Sequence, residues 1–264
     1  MTIPEAADRP LTGLSVVNTR PAGRATVLDA ALRAVGATVH ALPLLETEPL
    51  PLSPVQRQMV QDLDRYRVVF VVSPTAAALG LDSLRDYWPQ WPVGQVWIAV
   101  GAATARELAG AGLSPLTPTI ETSEGVLSLP PIQTLQPGDR VLVLRGEGGR
   151  NLVRDWLQAK AVQVDYLDLY RRRLPAAAAG QWRSLRQDRK PDAIVLTSGE
   201  SLRHWLALGG DEARLLPAVV ISERLGAEAM RLGVAVVLVA ASTRPEDVIA
   251  ALRAWREASA RGID

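Results

Sequence analysis

Short apolar runs alternate with amphipathic segments along most of this chain. The runs are rich in valine and leucine, and they fall at 14–18, 68–72, 95–100, 140–144, 193–197, 219–222 and 234–239. The segments between them place apolar residues at helical spacing, as in the stripe of Val27, Leu28, Ala31, Leu32 and Val35. Buried strands that alternate with one-sided helices predict an α/β fold with parallel sheets and helices on both faces.

Three strand–turn segments recur at a nearly constant distance. Arg20 and Arg145 follow similar apolar runs about 125 positions apart, and Ser73 and Ser198 repeat that distance. The stretch 96–112 matches 219–233 at about 121 positions. Because the three recur in the same order, we predict an internal duplication of α/β units. The alternative is the weak self-similarity of any α/β chain, which does not require a shared spacing.

Two segments interrupt this alternation. The stretch 43–54 carries four prolines, which is typical of a crossing segment or linker. The stretch 162–170 alternates apolar and polar residues, which predicts a half-exposed strand that ends at Arg171–Arg173.

Length, charge and cysteine content exclude several classes of protein and of functional site. With 264 residues, 48% of them hydrophobic, the chain can form two globular domains. A net charge of +1 provides no overall field that would attract nucleic acid or a membrane surface. The absence of cysteine excludes disulfides, thiolate nucleophiles and iron–sulfur clusters, and His40 and His204 lack ligand-like spacing. The N-terminus does not resemble a signal peptide, and no apolar run reaches the ~20 residues of a membrane helix, so we expect a cytoplasmic protein.

Ligands of open α/β sheets bind at the carboxyl ends of the strands, so the polar residues there are the candidates for function. They are mostly hydroxyls, arginines and glycine amides: Thr19, Arg20, Ser73, Thr75, Thr104, Arg145, Gly146, Glu147, Arg150, Ser198, Gly199, Ser201, Ser222 and Arg224. Such a set suits a polyanion better than nucleophilic hydrolysis. Taken singly, the hydroxyls are also ordinary helix caps and the arginines ordinary ion-pair partners.

Two further features bear on the choice of ligand. The glycine-rich turn 145–150 matches neither GxGxxG nor GxxxxGK[ST], which weakens a nucleotide interpretation. Tyr170 ends the alternating strand, and its hydroxyl could donate a proton or a hydrogen bond if it is buried in a cleft.

Taken together, these segments resemble the uroporphyrinogen-III synthase family. The matching motifs are 17–21 (VNTRP), 70–74 (FVVSP), 99–105 (AVGAATA), 123–125 (SEG), 143–146 (VLRG) and 195–198 (VLTS). Tyr170 falls where the family has a tyrosine just before the chain crosses back. Each motif is short, and their order and spacing over the whole chain carry the resemblance. Leu225 departs from the family, whose second half has a threonine there, whereas the first half keeps Thr104.

The resemblance implies a fold of two similar parallel-sheet α/β domains, joined by a two-stranded linker, with the active site in the cleft between them. The first domain would comprise 1–42 and 172–264, and the second 43–171. It also implies a lyase that cyclises linear hydroxymethylbilane to uroporphyrinogen III in tetrapyrrole biosynthesis, with inversion of ring D and loss of water.

The resemblance further implies that no metal or organic cofactor takes part. Tyr170 would donate the proton for loss of the hydroxyl, and the substrate's eight carboxylates would bind Thr19, Arg20, Ser73, Thr75, Thr104, Arg145, Gly146, Ser198, Gly199 and Ser201. We expect a monomer that takes its substrate from hydroxymethylbilane synthase, without nucleic acid or membrane partners. Two alternatives stay open, namely a two-domain anion-binding protein without catalysis and a nucleotide-dependent α/β enzyme.

Overall fold

The computed structural model describes residues 9–148, 151–188 and 190–261. Gly149 and Arg150 of the glycine-rich turn, and most of the N-terminal tail, lie outside the described residues. The strands are β1 (Ser15–Asn18), β2 (Thr38–Ala41), β3 (Glu46–Pro49), β4 (Val68–Val71), β5 (Val96–Ala99), β6 (Arg140–Gly146), β7 (Gln163–Arg173), β8 (Ala193–Leu196), β9 (Ala218–Val220) and β10 (Val237–Val239).

Helices follow most of these strands. They are α1 (Ala22–Ala34), α2 (Pro54–Gln61), α3 (Pro74–Arg85), α4 (Ala102–Gly110), α5 (Ser123–Leu127), α6 (Pro130–Gln133), α7 (Leu152–Gln158), α8 (Ala178–Asp188), α9 (Gly199–Leu215), α10 (Glu223–Arg231) and α11 (Pro245–Ala260). A 3₁₀ turn spans Leu63–Arg65.

The chain divides into two compact units. One comprises Met1–Glu46 and Arg173–Asp264, and the other comprises Thr47–Arg172. The described part of the first unit holds a sheet of order β10-β9-β8-β1-β2, and that of the second a sheet of order β3-β7-β6-β4-β5. The order β2-β1-β8-β9 in the first sheet corresponds to the order β7-β6-β4-β5 in the second. The remaining edge strands, β10 and β3, have no counterpart. The strand order therefore confirms the predicted duplication.

Each sheet of the described chain has an apolar cluster on both faces, because successive residues of a strand point to opposite sides. In the first unit, Val16 packs with helices α1 and α11, whereas Val17 packs with α8, α9 and α10. In the second unit, Val69 packs with α2, α3 and α4, whereas Val68 packs with α5, α6 and α7. Two-sided burial explains why these strands are continuous apolar runs rather than alternating ones.

Several of the candidate serines and glycines mark the ends of helices. Ser73, Ser198 and Ser222 cap α3, α9 and α10, with each hydroxyl accepting a hydrogen bond from the backbone N–H three residues on. Gly112 and Gly233 follow the ends of α4 and α10 with φ of 81° and 88°, a left-handed conformation that glycine adopts without strain. These hydroxyls and glycines are helix boundaries in both units.

The strand predicted at 162–170 differs from its expectation in two ways. It extends as β7 to Arg173, so the arginine run does not end it. It is also far less exposed than its alternation suggested, because β6 and β3 pair with it on either side. Tyr166, Leu167, Leu169 and Tyr170 are all buried. Two of its polar positions, Asp165 and Asp168, are half-buried and pair with Arg140 and Arg145 of β6.

Candidate functional site

Tyr170 is placed by an irregularity in the pairing of β6 with β7. Arg145 lies opposite Asp168, but the next residue, Gly146, lies opposite Tyr170, so that Leu169 is passed over. Such a bulge shifts the alternation of side chains along the strand. Tyr166 accordingly packs on one face of the sheet, whereas Leu169 and Tyr170 both pack on the other, with α3 and α4.

The bulge brings the Tyr170 hydroxyl to the start of α3. Its oxygen lies 3.1 Å from Ser73 Oγ, and either hydroxyl can donate. Ser73 Oγ also accepts a hydrogen bond of 3.0 Å from the Ala76 N–H as the cap of the helix. Tyr170 is only 3% exposed, whereas Ser73 is half-buried. The phenol is therefore enclosed, and Ser73 is the more exposed end of this hydroxyl pair.

Gly146 makes room for the Tyr170 ring. A Cβ atom at position 146 would lie 2.6 Å from both Cε2 and Cζ of Tyr170, far inside van der Waals contact. The absence of a side chain at Gly146 thus allows the ring to lie against β6. Gly146, Tyr170 and Ser73 form one cluster, which we call the tyrosine cluster.

Arg145 directly precedes Gly146 on β6, but its buried side chain lies on the opposite face of the sheet, with Tyr166. Its Nε donates to Asp168 Oδ1 at 2.8 Å, and its Nη1 donates to Asn151 Oδ1 at 3.4 Å. The guanidinium also stacks on the Tyr166 ring at 3.9 Å. These contacts hold Arg145 in a fixed position.

The two candidate threonines of the second unit differ in exposure. Thr75 is half-buried in the first turn of α3, whereas Thr104 is only 1% exposed within α4. The N-terminus of α4, the helix of the candidate Thr104, holds a carboxylate of the chain itself. Glu121 Oε1 accepts a hydrogen bond of 2.8 Å from the Ala102 N–H, and the carboxylate lies against Gly101.

Leu225, the residue that departs from the family's threonine, is also a core residue. It is 1% exposed and packs in the cluster beneath α8, α9 and α10. Its backbone N–H donates to the Ser222 hydroxyl at 3.3 Å. Both repeats therefore bury this side-chain position within their own unit.

In the first unit, Thr19 and Arg20 follow the end of β1. Thr19 is 1% exposed and donates its hydroxyl to the Val195 carbonyl at 2.6 Å. Arg20 is half-buried and donates from Nη2 to the Thr243 carbonyl at 2.6 Å. Burial lowers the pKa of the Arg20 guanidinium from its ordinary value, and the Asp29 carboxylate opposes part of that shift.

Ser198, Gly199 and Ser201 lie together at the N-terminus of α9. Ser198 and Ser201 cap the helix reciprocally, since the hydroxyl of each accepts from the backbone N–H of the other. Ser201 is 1% exposed. A Cβ atom at Gly199 would lie 2.8 Å from Oε2 of Glu228, so this helix end also faces a carboxylate of the chain.

The predicted residues thus fall at three places in the fold. These are the tyrosine cluster, the start of α9 and the end of β1. Arg145 and Thr75 are close in sequence to members of the tyrosine cluster. Sequence reasoning missed Asp168, Glu121 and Glu228. Asp168 lies on the alternating strand, but its pairing with Arg145 depends on the register of β6 with β7, which the sequence does not show. Glu121 and Glu228 reach helix ends from distant segments, which no local pattern indicates.

Within the described ranges, no group of three or more His, Asp or Glu side chains is arranged to hold a metal ion. His40 instead contacts the Ser15 hydroxyl, and His204 contacts the Leu44 carbonyl. A search of the same residues for an apolar helix of membrane-spanning length finds none.

Comparisons with known proteins place the chain in a family. A sequence model of the family Uroporphyrinogen-III synthase HemD matches residues 26–250. The uroporphyrinogen-III synthase of Escherichia coli K12 is 32% identical over 238 residues, which cover 83% of this chain and 92% of that protein. That of Synechococcus elongatus is 28% identical over 210 residues, which cover 76% and 77%.

Solved structures show the same fold. A crystal structure of a mutant uroporphyrinogen III synthase from the extreme thermophile Thermus thermophilus aligns with a TM-score of 0.61 at 18% identity, covering 94% of this chain and all of that one. The Helicobacter pylori protein described as uroporphyrinogen-III synthetase aligns with 0.58 at 15% identity, covering 92% and 99%. The predicted α/β fold class is confirmed, and the chain belongs to the uroporphyrinogen-III synthase family.

Proposed function

We propose that this chain is a uroporphyrinogen-III synthase that cyclises hydroxymethylbilane to uroporphyrinogen III, with inversion of ring D and loss of water. The observation that carries the proposal is the family match over residues 26–250. The division of the chain at Glu46/Thr47 and Arg172/Arg173 supports the accompanying proposal of a discontinuous domain, 1–42 with 172–264, and a second domain, 43–171.

The reaction needs a proton donor and an enzyme that holds the substrate in one folded form. The hydroxyl of the hydroxymethyl group on ring A takes a proton and leaves as water, which gives an azafulvene cation. The substituted carbon of ring D attacks that cation and forms a spiro intermediate, whose opening and reclosure inverts ring D. Ring closure then releases one proton, which restores the proton that the enzyme donated to the leaving hydroxyl. No electron is transferred, so the reaction needs no redox cofactor.

Tyr170 is the proposed proton donor, acting through Ser73. The Tyr170 hydroxyl is enclosed, and the half-buried Ser73 hydroxyl lies 3.1 Å from it. Ser73 can pass its own proton to the leaving hydroxyl while taking the proton of Tyr170. The N-terminus of α3 carries a partial positive charge, which suits negative charge that develops on the Ser73 oxygen during the transfer. The arrangement supports general acid catalysis that needs no direct contact between the phenol and the substrate.

Substrate binding is proposed for the candidates whose side chains or backbone are partly exposed. These are Arg20, Ser198 and Gly199 in one unit and Thr75 and Gly146 in the other. Thr19, Thr104, Arg145 and Ser201 are buried, so we propose that they position these neighbours. An arginine and the N-termini of helices suit the eight carboxylates of the substrate. Since unassisted closure leaves ring D uninverted, holding one folded form of the substrate is the larger part of catalysis.

The proposal extends to the setting of the reaction. Hydroxymethylbilane closes without a catalyst to isomer I, which favours direct transfer from hydroxymethylbilane synthase in the cytoplasm. A monomer stays a prediction, which light scattering of the purified protein would check.

An isomer assay tests the proposed function. Hydroxymethylbilane is generated in situ, the protein is added, the products are oxidised, and the porphyrin isomers are separated by chromatography. Mostly isomer III is the expected result. Only isomer I, formed at the uncatalysed rate, would overturn the activity and favour an anion-binding protein instead. A thermal shift with nucleotides would favour the nucleotide-dependent alternative.

A further inference from the structure

Asp168 lies two residues before Tyr170, at the last regular pair of β6 with β7 before the bulge. Its Oδ1 accepts a hydrogen bond of 2.8 Å from Nε of Arg145, the residue directly opposite on β6. The side chains of Asp168 and Arg145 are 31% and 11% exposed, so this ion pair is largely removed from water. Loss of one partner from such a pair is costly, which makes the pair a strong constraint on the register of the two strands.

The ion pair also fixes the face of the sheet on which Asp168 lies. Arg145 stacks on the Tyr166 ring at 3.9 Å, so Asp168, Arg145 and Tyr166 share one face. Strict alternation from Asp168 would place Tyr170 on that same face. Tyr170 instead packs with α3, because Leu169 is passed over in the pairing with β6.

Backbone hydrogen bonds hold the residues of the bulge on both sides. The Asp168 carbonyl accepts from Gln56 Nε2 at 3.2 Å, and the Leu169 carbonyl accepts from the N–H of residue 50 at 2.9 Å. After the bulge, the Tyr170 carbonyl accepts from the Glu147 N–H at 2.7 Å. The bulge therefore lies between the Arg145–Asp168 ion pair and the bond of Glu147 to Tyr170.

We propose that Asp168 is a positioning residue for the proposed reaction. Through Arg145 it fixes the register before the bulge, and it thereby holds the Tyr170 hydroxyl against Ser73. This inference rests on the proposed proton transfer from Tyr170 through Ser73. Asp168 acts through the backbone of β7, since its side chain and that of Tyr170 lie on opposite faces of the sheet.

The test compares Asp168→Ala with Asp165→Ala. Asp165 Oδ2 lies 2.9 Å from Arg140 Nη2, so it makes a second ion pair between β7 and β6, of similar exposure but farther from the bulge. We expect Asp168→Ala to lower kcat about tenfold or more with little change in KM, because a displacement of about 1 Å can cost about 100-fold in rate. Asp165→Ala should lower stability and leave kcat near that of the unmodified protein. Equal kcat values in the two variants, measured where both are folded, would overturn the proposal.

Two further variants separate positioning from a general loss of structure. Asp168→Asn should recover part of the lost kcat, because its Oδ1 can still accept from Arg145 Nε. In the Tyr170→Phe background, Asp168→Ala should cause no further loss of kcat, because the group that it positions is absent. A loss of equal size in both backgrounds would overturn the positioning role.

The ¹³Cζ resonances of the four tyrosines provide a readout that does not depend on turnover. The resonance lost in Tyr170→Phe is that of Tyr170, and we expect it to shift in Asp168→Ala and to keep its position in Asp165→Ala. An unshifted Tyr170 resonance in Asp168→Ala would overturn the proposal even if the isomer assay confirmed the activity. If that assay gave only isomer I, the proposed function would fail, whereas the resonance would still report whether Asp168 holds Tyr170.

Discussion

The hydroxyl of Tyr170 lies 3.1 Å from Oγ of Ser73, although the two residues are separated by 97 positions in the chain. The contact depends on two structural features, the bulge that turns Tyr170 onto the face of α3 and the cap that fixes Ser73. It joins an enclosed phenol to a hydroxyl that is partly exposed, which is the arrangement that a proton relay requires.

Tyr170→Phe should remove the proton donor while keeping the ring in place. We expect kcat to fall by about 100-fold or more with little change in KM, since general acid catalysis contributes about that factor. The fraction of isomer III should fall as the uncatalysed route competes. The isomer assay and steady-state rates measure both. Tyr87→Phe removes the same atom from an exposed side chain and serves as the control. Full turnover and isomer purity in Tyr170→Phe would contradict the role.

Ser73→Ala tests two roles of Ser73, the proposed transfer of a proton from Tyr170 and the capping of α3. The variant should lose about 1 kcal/mol of unfolding free energy, because α3 loses its cap. It should also lower kcat, because Tyr170 loses its partner. Ser222→Ala removes the equivalent cap from α10 and should destabilise by a similar amount. Urea unfolding together with turnover separates the two effects. Equal kcat in both variants would show that Ser73 acts as a cap alone.

Gly146→Ala should displace the Tyr170 ring. The new methyl group would lie 2.6 Å from two ring carbons, so we expect a loss of about 1–3 kcal/mol in unfolding free energy and a loss of turnover. Gly110→Ala, in the last turn of α4, meets no atom within 4 Å and should leave stability equal or slightly higher. Thermal unfolding and the isomer assay report both. Native turnover in Gly146→Ala would mean that the position of the ring does not matter.

Glu121→Gln should remove the chain's own negative charge from the N-terminus of α4 and so favour an anion of the substrate there. The Glu121 carboxylate accepts from the Ala102 N–H at 2.8 Å, in the position that the sequence assigns to a ligand. A carboxylate at a helix N-terminus is worth about 0.3–1 kcal/mol, so KM should fall about two- to fivefold with a small loss of thermal stability. Glu107→Gln makes the same change of net charge on the exposed face of α4 and should leave KM unchanged. An unchanged KM in Glu121→Gln would remove the end of α4 from substrate binding.

The sequence predicted features that local patterns control. Two-sided burial made Val68–Val71 and Ala193–Leu196 apolar throughout, and the serines that follow them capped helices as their residue type predicts. The shared spacing of Ser73 and Ser198 also predicted an internal duplication of α/β units, which agrees with the strand orders of the two sheets. Hydrophobic periodicity and capping act over a few residues, which is why they are visible in the chain.

Features that depend on distant contacts were not predicted. Strict alternation would have placed Tyr170 on the same face as Tyr166, and only the register with Gly146 reveals the bulge. The strand of Tyr170 looked half-exposed because its polar residues are satisfied by partners, as Asp168 is by Arg145. Glu121 reaches α4 from an irregular loop. In each case the deciding partner lies elsewhere in the chain, beyond the reach of a local pattern.

A polar network in the second unit determines how the protein responds to alkaline pH. Tyr66 is 1% exposed and donates its hydroxyl to Asp165 Oδ2 at 2.9 Å. Arg140 Nη2 donates to Asp165 Oδ2 at 2.9 Å and to the Tyr66 hydroxyl oxygen at 3.1 Å. Burial raises the pKa of the Tyr66 phenol well above its ordinary value, and the hydrogen bond to Asp165 adds to the shift. The phenol therefore stays protonated in the folded protein after it ionises in the unfolded chain.

Stability should consequently fall as pH rises above about 10, the ordinary pKa of tyrosine. There the unfolded chain binds fewer protons than the folded one, and this single residue lowers the unfolding free energy by up to ~1.4 kcal/mol per pH unit. Tyr66→Phe should be about 1 kcal/mol less stable at pH 8, where a hydrogen bond is lost, yet lose less stability between pH 10 and 11. Urea unfolding across pH 8–11 measures the slopes, with Tyr87→Phe as the exposed control. Parallel slopes for Tyr66→Phe and the unmodified protein would show that burial and the hydrogen bond to Asp165 do not hold the proton on Tyr66.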